Sequence, residues 1–353
     1  MKPVRATPLL AAPLAVLAIT GCTHIGPQTV TADRVNYSTA VANSWKEQML
    51  LNVVKLRYAD VPVFVDVASI VSGYSLETNV TLGTDIFPSL NTERVGVGAL
   101  GRFIDRPTIT FVPMTGDRFL HGMLTPINPK NIFFLVQAGY PADFILGLTV
   151  DSLNGVRNRS AMQQADPRFY LALALVREVQ ASGALEMRVE EGKDKREVAI
   201  LYFRKHGMSP EVAAKSAEVR RLLGMPADRD NFVLTYSAVR ASEAELTVSS
   251  RSMIQIMTTF ASYIDAPAEH VANQSATKSV APTGENGRDP VKIHSGKDKP
   301  ADAFAAVRYN DHWFWIANND WRSKRALSVL MFFFTLTESG GEQKLPLITI
   351  PAQ

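Results

Sequence analysis

The chain has 353 residues, of which 46% are hydrophobic, so it is long enough for one large or two ordinary domains with a buried core. Its formal net charge is only +3 and no basic tract is interleaved with aromatic residues, which argues against nucleic-acid binding. Cys22 is the single cysteine, which excludes a disulfide framework and a thiolate metal site.

The N-terminus has the layout of a secretory signal. Lys2 and Arg5 precede an apolar run from Leu9 to Ile19, which is too short for a membrane-spanning helix. The run ends in Ile19-Thr20-Gly21-Cys22, which resembles the lipobox of bacterial lipoproteins. This resemblance implies a signal peptide of residues 1–21, cleavage after Gly21 and acylation of Cys22. The alternative is an ordinary signal peptide with a chance cysteine.

The lipobox also predicts where the protein resides. Thr23, rather than Asp, follows the cysteine and resembles outer-membrane sorting, so we expect a lipid-anchored protein on the periplasmic face. Residues 22–37 have no hydrophobic period and are predicted to be a tether. A main α+β domain is predicted over residues 38–272. It begins with a helix from Ser38 or Thr39 to about Tyr58.

A long β-hairpin is predicted over about residues 63–112. Its arms, Ile70–Leu82 and Arg94–Ile104, alternate in side-chain type, as strands do. Glycines at 96, 98 and 101 weaken a strand unless something packs closely there. An ordinary sheet covered by the first helix and a membrane-inserted hairpin both explain this pattern.

Local signals predict further helices and strands in the main domain. Helices are expected at Asn131–Ala138, at Pro167–Ser182, from Ser209 to Leu223, and after Ser249 or Ser250. Strands are expected at Leu185–Glu190, Glu197–Arg204, Phe232–Ser237 and Glu245–Val248. Residues 145–156 fit a helix or a strand equally well.

The C-terminal part begins with a change in composition. Residues 273–303 are rich in Ser, Lys, Gly, Pro and Asp and predict a disordered linker. A docked block over residues 304–353 follows. It consists of the hairpin Phe304–Tyr309 and His312–Ile316, an apolar helix from Asp320 to Glu338, and a last strand, Leu347–Ile350.

Several segments together resemble a functionally uncharacterised family of Gram-negative, outer-membrane lipoproteins. The resemblance rests on Gln48-Met49-Leu50-Leu51-Asn52-Val53-Val54-Lys55-Leu56-Arg57-Tyr58, Arg106-Pro107-Thr108-Ile109-Thr110-Phe111, Asn154-Gly155-Val156-Arg157-Asn158 and His312-Trp313-Phe314-Trp315-Ile316. It implies one coherent envelope module, and it supplies no catalytic residues.

Few residues have the spacing of a functional site. No two histidines have zinc-motif spacing, so no metal ligand and no cofactor is predicted. His312 either faces a ligand or is a solvent-facing strand residue beside core aromatics. Arg157 either clamps a carboxylate or phosphate, or is a solvated or core-capping arginine in a turn.

The start of the last helix carries a positive cluster, Arg322, Lys324 and Arg325, at the end where the helix dipole disfavours cations. A partner carboxylate or an anionic lipid headgroup would offset this charge, and solvation is the alternative.

These observations favour a non-enzymatic role as a structural or interaction component of an envelope assembly. The chain would contact the membrane through Cys22 and envelope proteins through its folded part. One alternative is a periplasmic hydrolase with scattered catalytic groups. Another is an oligomeric outer-membrane pore built from the hairpin.

Overall fold

The computed structural model describes residues 25–71, 74–87, 92–160, 163–191, 197–278 and 290–338. The fold is α+β, as predicted, with helices and mostly antiparallel sheets. Contacts divide the chain into two compact units. The first takes in residues up to Ser44 and Val65–Val112, and the second takes in Trp45–Phe64 and Pro113–Gln343.

The first helix, α1 (Ile25–Arg57), is longer than predicted. The irregular tether expected over residues 22–37 is therefore wrong from Ile25 onward. The prediction failed because residues 30–44 are mostly exposed and have no buried stripe that a hydrophobic period would reveal. Burial begins near the C-terminal end of α1, where Leu50 and Val53 are inaccessible to solvent and belong to the core of the second unit.

The predicted hairpin is confirmed and belongs to the first unit. Strands β1 (Phe64–Val71), β2 (Tyr74–Phe87), β3 (Thr92–Asp105) and β4 (Thr108–Met114) form two two-stranded sheets, β1 with β4 and β2 with β3. We call these four strands the ribbon. In its longer sheet Tyr74 pairs with Asp105 and Phe87 pairs with Thr92, with no register shift between them.

The second unit contains a six-stranded sheet with strand order β6-β5-β10-β9-β8-β7. Its neighbours are antiparallel except for β9 and β10, which run parallel. The strands are β5 (Val150–Leu153), β6 (Val156–Arg157), β7 (Leu185–Glu191), β8 (Glu197–Phe203), β9 (Asn231–Thr235) and β10 (Glu245–Ser250).

Further helices of the second unit contribute buried residues to the same core as this sheet, except the short last one of them. They are α2 (Asp117–Leu124), α3 (Pro129–Gln137), α4 (Ala142–Thr149), α5 (Pro167–Ala181), α6 (Pro210–Leu222), α7 (Met253–Ser262) and α8 (Ala268–Ala272). Ser209 caps α6, as predicted, through its hydroxyl. Ser252, not Ser249 or Ser250, caps α7, because Gln255 completes a capping box with it.

The ambiguous segment of residues 145–156 is both helix and strand: α4 ends at Thr149 and β5 starts at Val150. Asn154 and Gly155 then turn the chain into β6, with φ of 45° and 76°. Both values lie in the left-handed region that a tight two-residue hairpin needs, which an Asn-Gly pair adopts readily.

A second sheet of three strands, β11-β13-β12, completes the second unit with the helix α9 (Trp321–Glu338). Its strands are β11 (His294–Gly296), β12 (Ala303–Tyr309) and β13 (His312–Ala317). The predicted hairpin and apolar helix are therefore confirmed. The last strand predicted, Leu347–Ile350, lies outside the described residues.

The linker prediction for residues 273–303 is wrong for most of the part that the structure describes. Val291 and Ile293 are fully buried, and β11 hydrogen-bonds with β13. Ala276 is buried too. A few buried apolar residues, dispersed among polar ones, hold this stretch against the core. The prediction missed them because it rested on the average composition of the stretch. Residues 279–289 lie outside the described part.

No helix among the described residues is both long and apolar enough to cross a membrane.

Candidate functional site

Three titratable side chains from two distant parts of the sequence meet at the N-terminal end of β13. They are Glu269 and His270 from α8 and His312 from the first position of β13. One potential metal-ligand atom from each lies within 4.8 Å of the others. Nε2 of His312 lies 3.1 Å from a carboxylate oxygen of Glu269, and the two imidazole centroids are 4.7 Å apart. We call these three residues the histidine cluster.

Local structure positions each member of the cluster. Asn310 and Asp311, with φ of 45° and 60°, make the tight turn that starts β13, and Nδ1 of His312 faces the carbonyl oxygen of Asn310 at 3.3 Å. Pro267 precedes α8, and its carbonyl accepts the backbone N–H of His270. A turn and a helix start therefore hold the two imidazoles at fixed distances from one another.

Tyr58, just after α1, connects the N-terminal part of the chain to this site. Its hydroxyl oxygen is 2.7 Å from Nδ1 of His270, and its ring lies edge-on to that imidazole. The ring of Tyr309 packs against the ring of Tyr58, and the hydroxyl of Tyr309 donates to Asp60 at 2.9 Å. The cluster therefore has an aromatic wall on one side.

Burial and hydrogen bonding shift the pKa values of three of these groups. Burial raises the pKa of Tyr58 to about 12, so this phenol stays protonated at neutral pH. Burial also lowers the pKa of His270, and the neighbouring His312 lowers it further. The hydrogen bond from Tyr309 lowers the pKa of Asp60, which therefore stays ionised. The site thus combines a neutral phenol of Tyr58 with an ionised carboxylate of Asp60.

His312 is not the solvent-facing strand residue that was one of its two interpretations. Only 6% of it is exposed, because the tight turn directs its side chain toward α8. Two histidines and a glutamate converge in space although their spacing in sequence shows no motif, and the expectation of no metal ligand stays a prediction. Tyr58, Glu269 and His270 had no sequence signal that would select them.

A cavity of about 220 Å³ brings together two of the predicted cationic residues. Arg322 and Arg325 line it with Arg177 and Asp143. Arg177 donates to the Asp143 carboxylate at 3.1 Å, and the guanidinium of Arg325 lies over the ring of Phe144 at 4.2 Å. Burial lowers the pKa of Arg325, and Arg322 and Arg177 lower it further. The cavity therefore carries more positive than negative charge.

The remaining predicted site residues lie elsewhere. Lys324 donates to the backbone and side-chain oxygens of Asn318, so it secures the turn before α9. Arg157 is exposed in β6, where its carbonyl accepts from the backbone N–H of Asp166, and its role stays a prediction. Gly21 and Cys22 lie outside the described residues.

No protein-family model, curated protein or solved structure matches this chain.

Proposed function

We propose that the protein is a lipid-anchored lipoprotein of the cell envelope that acts as a structural or interaction component of an assembly. Cys22 carries the anchor, and the ribbon makes the contact with a further copy of the chain. The observation that carries this proposal is the pairing of β2 with β3: each strand has 14 residues, yet the two form a sheet of only two strands.

Such a sheet has two outer edges. Within the described residues, neither edge of the β2–β3 sheet pairs with another strand. Two-stranded sheets are marginally stable by themselves, and long edges with free N–H and C=O groups are the usual sites of strand addition. The ribbon would gain backbone hydrogen bonds by pairing with the same edge of another copy.

The base of the ribbon also exposes apolar side chains. Ile109 is 42% exposed and Phe111 is 59% exposed, on one face of β4, and the intervening Thr110 is exposed on the other. A strand of a monomeric protein ordinarily buries one face, so an uncovered strand with apolar residues indicates an interaction surface.

The known register allows a precise test. Val80–Ala99 can be removed and replaced by an Asn-Gly turn that joins Asn79 to its partner Leu100, which keeps the remaining pairs in register. We expect the parent protein, extracted in mild detergent, to migrate as an oligomer and the shortened protein as a monomer. Deletion of residues 281–288 is the matched control and should leave the oligomer intact.

A parent protein that stays monomeric at every concentration, or a shortened variant that still assembles, contradicts the proposal. The same pair of variants tests the pore alternative, which is favoured by strand length, since a membrane-crossing strand needs about 9–11 residues. Conductance of a planar bilayer that requires the full ribbon would support a pore rather than a structural assembly.

A further inference from the structure

We propose that the histidine cluster binds one divalent first-row transition metal ion, for which Zn²⁺ is the reference probe. The ligands would be a carboxylate oxygen of Glu269 and one imidazole nitrogen each from His270 and His312. This inference goes beyond the proposed assembly role and does not depend on it.

The donor set has the chemistry of known metal sites. Two imidazoles and one carboxylate bind catalytic zinc and related ions and leave a coordination position for water. The donor atoms of the cluster lie within 4.8 Å of one another. In a tetrahedral zinc site with bonds of about 2.0–2.1 Å they would be roughly 3.4 Å apart. The Glu269 side chain is 54% exposed and can make this adjustment, whereas His312 is held by its surroundings.

The surroundings of the cluster resemble the outer shell of a metal site. Metal-binding histidines hydrogen-bond through their second ring nitrogen to a carbonyl, a carboxylate or water, which selects the tautomer and orients the ring. Nδ1 of His312 faces the carbonyl oxygen of Asn310 at 3.3 Å. Nδ1 of His270 lies 2.7 Å from the hydroxyl oxygen of Tyr58. Each Nδ1 has its orienting group, so we assign Nε2 of each ring to the ion.

An ion pair is the competing explanation of the same geometry. Glu269 and a protonated His312 would attract each other at 3.1 Å, and Lys297 lies 3.8 Å from the same carboxylate oxygen. A metal ion requires neutral imidazoles and takes the place of the imidazolium proton. A metal titration therefore distinguishes the two explanations, because only a metal site binds one ion per chain and releases protons in doing so.

The experiment uses the full chain, extracted from membranes without a polyhistidine tag and treated with a chelator. Calorimetric titration with Zn²⁺ is expected to give one ion per chain, and Co²⁺ is expected to give visible absorption bands of bound cobalt. Glu269→Gln, His270→Gln and His312→Gln should each weaken Zn²⁺ binding at least about tenfold, because each removes one ligand. The matched control is His121→Gln on α2, whose imidazole faces Thr125, and it should bind as the parent does.

Tyr58→Phe is the second, more conservative variant. Removing an outer-shell hydrogen bond lowers metal affinity by roughly tenfold to hundredfold while the ligands remain. We expect the stoichiometry to stay at one ion and the affinity to fall. Circular dichroism confirms that each variant is folded. Folded parent protein that takes up no Zn²⁺, or uptake that survives both His270→Gln and His312→Gln, would overturn the assignment.

Discussion

Asn154 and Thr247 are 93 residues apart, yet Oδ1 of Asn154 accepts hydrogen bonds from both the backbone N–H and the hydroxyl of Thr247, at 2.8 and 3.1 Å. Nδ2 of Asn154 donates to the carbonyl of Leu223 at 3.0 Å. One side chain in the β5–β6 turn therefore connects that hairpin to β10 and to the end of α6. Asn154 therefore has two roles: its residue type tolerates the positive φ of the turn, and its side chain stabilises the tertiary structure.

Asn154→Ala should therefore lower the free energy of unfolding by about 2–3 kcal/mol, because it leaves buried backbone groups without partners and disfavours the positive φ. The check is urea unfolding followed by circular dichroism. Asn154→Gly is the matched variant, since it tolerates φ of 45° and removes only the hydrogen bonds. An Asn154→Gly protein as stable as the parent would show that conformation alone matters.

Neighbouring phenylalanines in α9 allow a test of which face of this apolar helix is buried. Phe333 is fully buried in the core, whereas Phe332 is 47% exposed. Phe333→Ala should cost about 3–5 kcal/mol of unfolding free energy, through lost burial and the cavity it leaves. Phe332→Ala should cost less than about 1 kcal/mol. Equal losses in the two variants would contradict the burial of only one face of α9.

His294 should make stability depend on pH. Its ring stacks on Trp315, and burial first, then Lys292, lowers its pKa from 6.5, while Asp265 and Asp320 act in the opposite direction. The unfolded chain therefore binds a proton more readily than the folded one. This contribution to stability is fully present above pH 6.5 and is lost as the pH falls below 6.5 through the lowered pKa of the folded protein.

The measurement is the melting temperature of the parent and of His294→Phe at several values between about pH 7 and 5. Phenylalanine keeps the stack on Trp315 and cannot be protonated. We expect the parent to lose more stability than His294→Phe over this range. Parallel curves for the two proteins would mean that His294 titrates alike in the folded and unfolded states.

The sequence predicted those elements whose signals are local. Asn310-Asp311, which joins the predicted strands Phe304–Tyr309 and His312–Ile316, marks a two-residue turn because its residue types tolerate positive φ, and the structure contains this turn. The alternating arms of the ribbon likewise predicted the pairing of β2 with β3. In each case a few neighbouring residues suffice to determine the conformation.

The histidine cluster could not be predicted in this way. Tyr58 and His270 are 212 residues apart and come together only when α8 and the end of α1 pack beside β13. Nothing in the local sequence of α8 distinguishes Glu269 and His270 from ordinary surface residues. The cavity lined by Arg177, Arg322 and Arg325 was predicted only in part for the same reason. Arg322 and Arg325 are close in sequence and were identified as a cluster, whereas Arg177 lies on another helix and was not.

The last prediction concerns the anchor. If Cys22 is acylated, each buried methylene adds about 0.8 kcal/mol of membrane affinity, so several chains hold the protein firmly. Cys22→Ser should then leave an unprocessed precursor or release the protein from membranes, whereas Thr23→Ser, the matched control, should change neither. Fractionation and intact-mass measurement of both variants test this. A parent protein with an unmodified cysteine, or a Cys22→Ser protein that fractionates with membranes as the parent does, would contradict lipidation and leave the ordinary signal peptide as the explanation of residues 1–21.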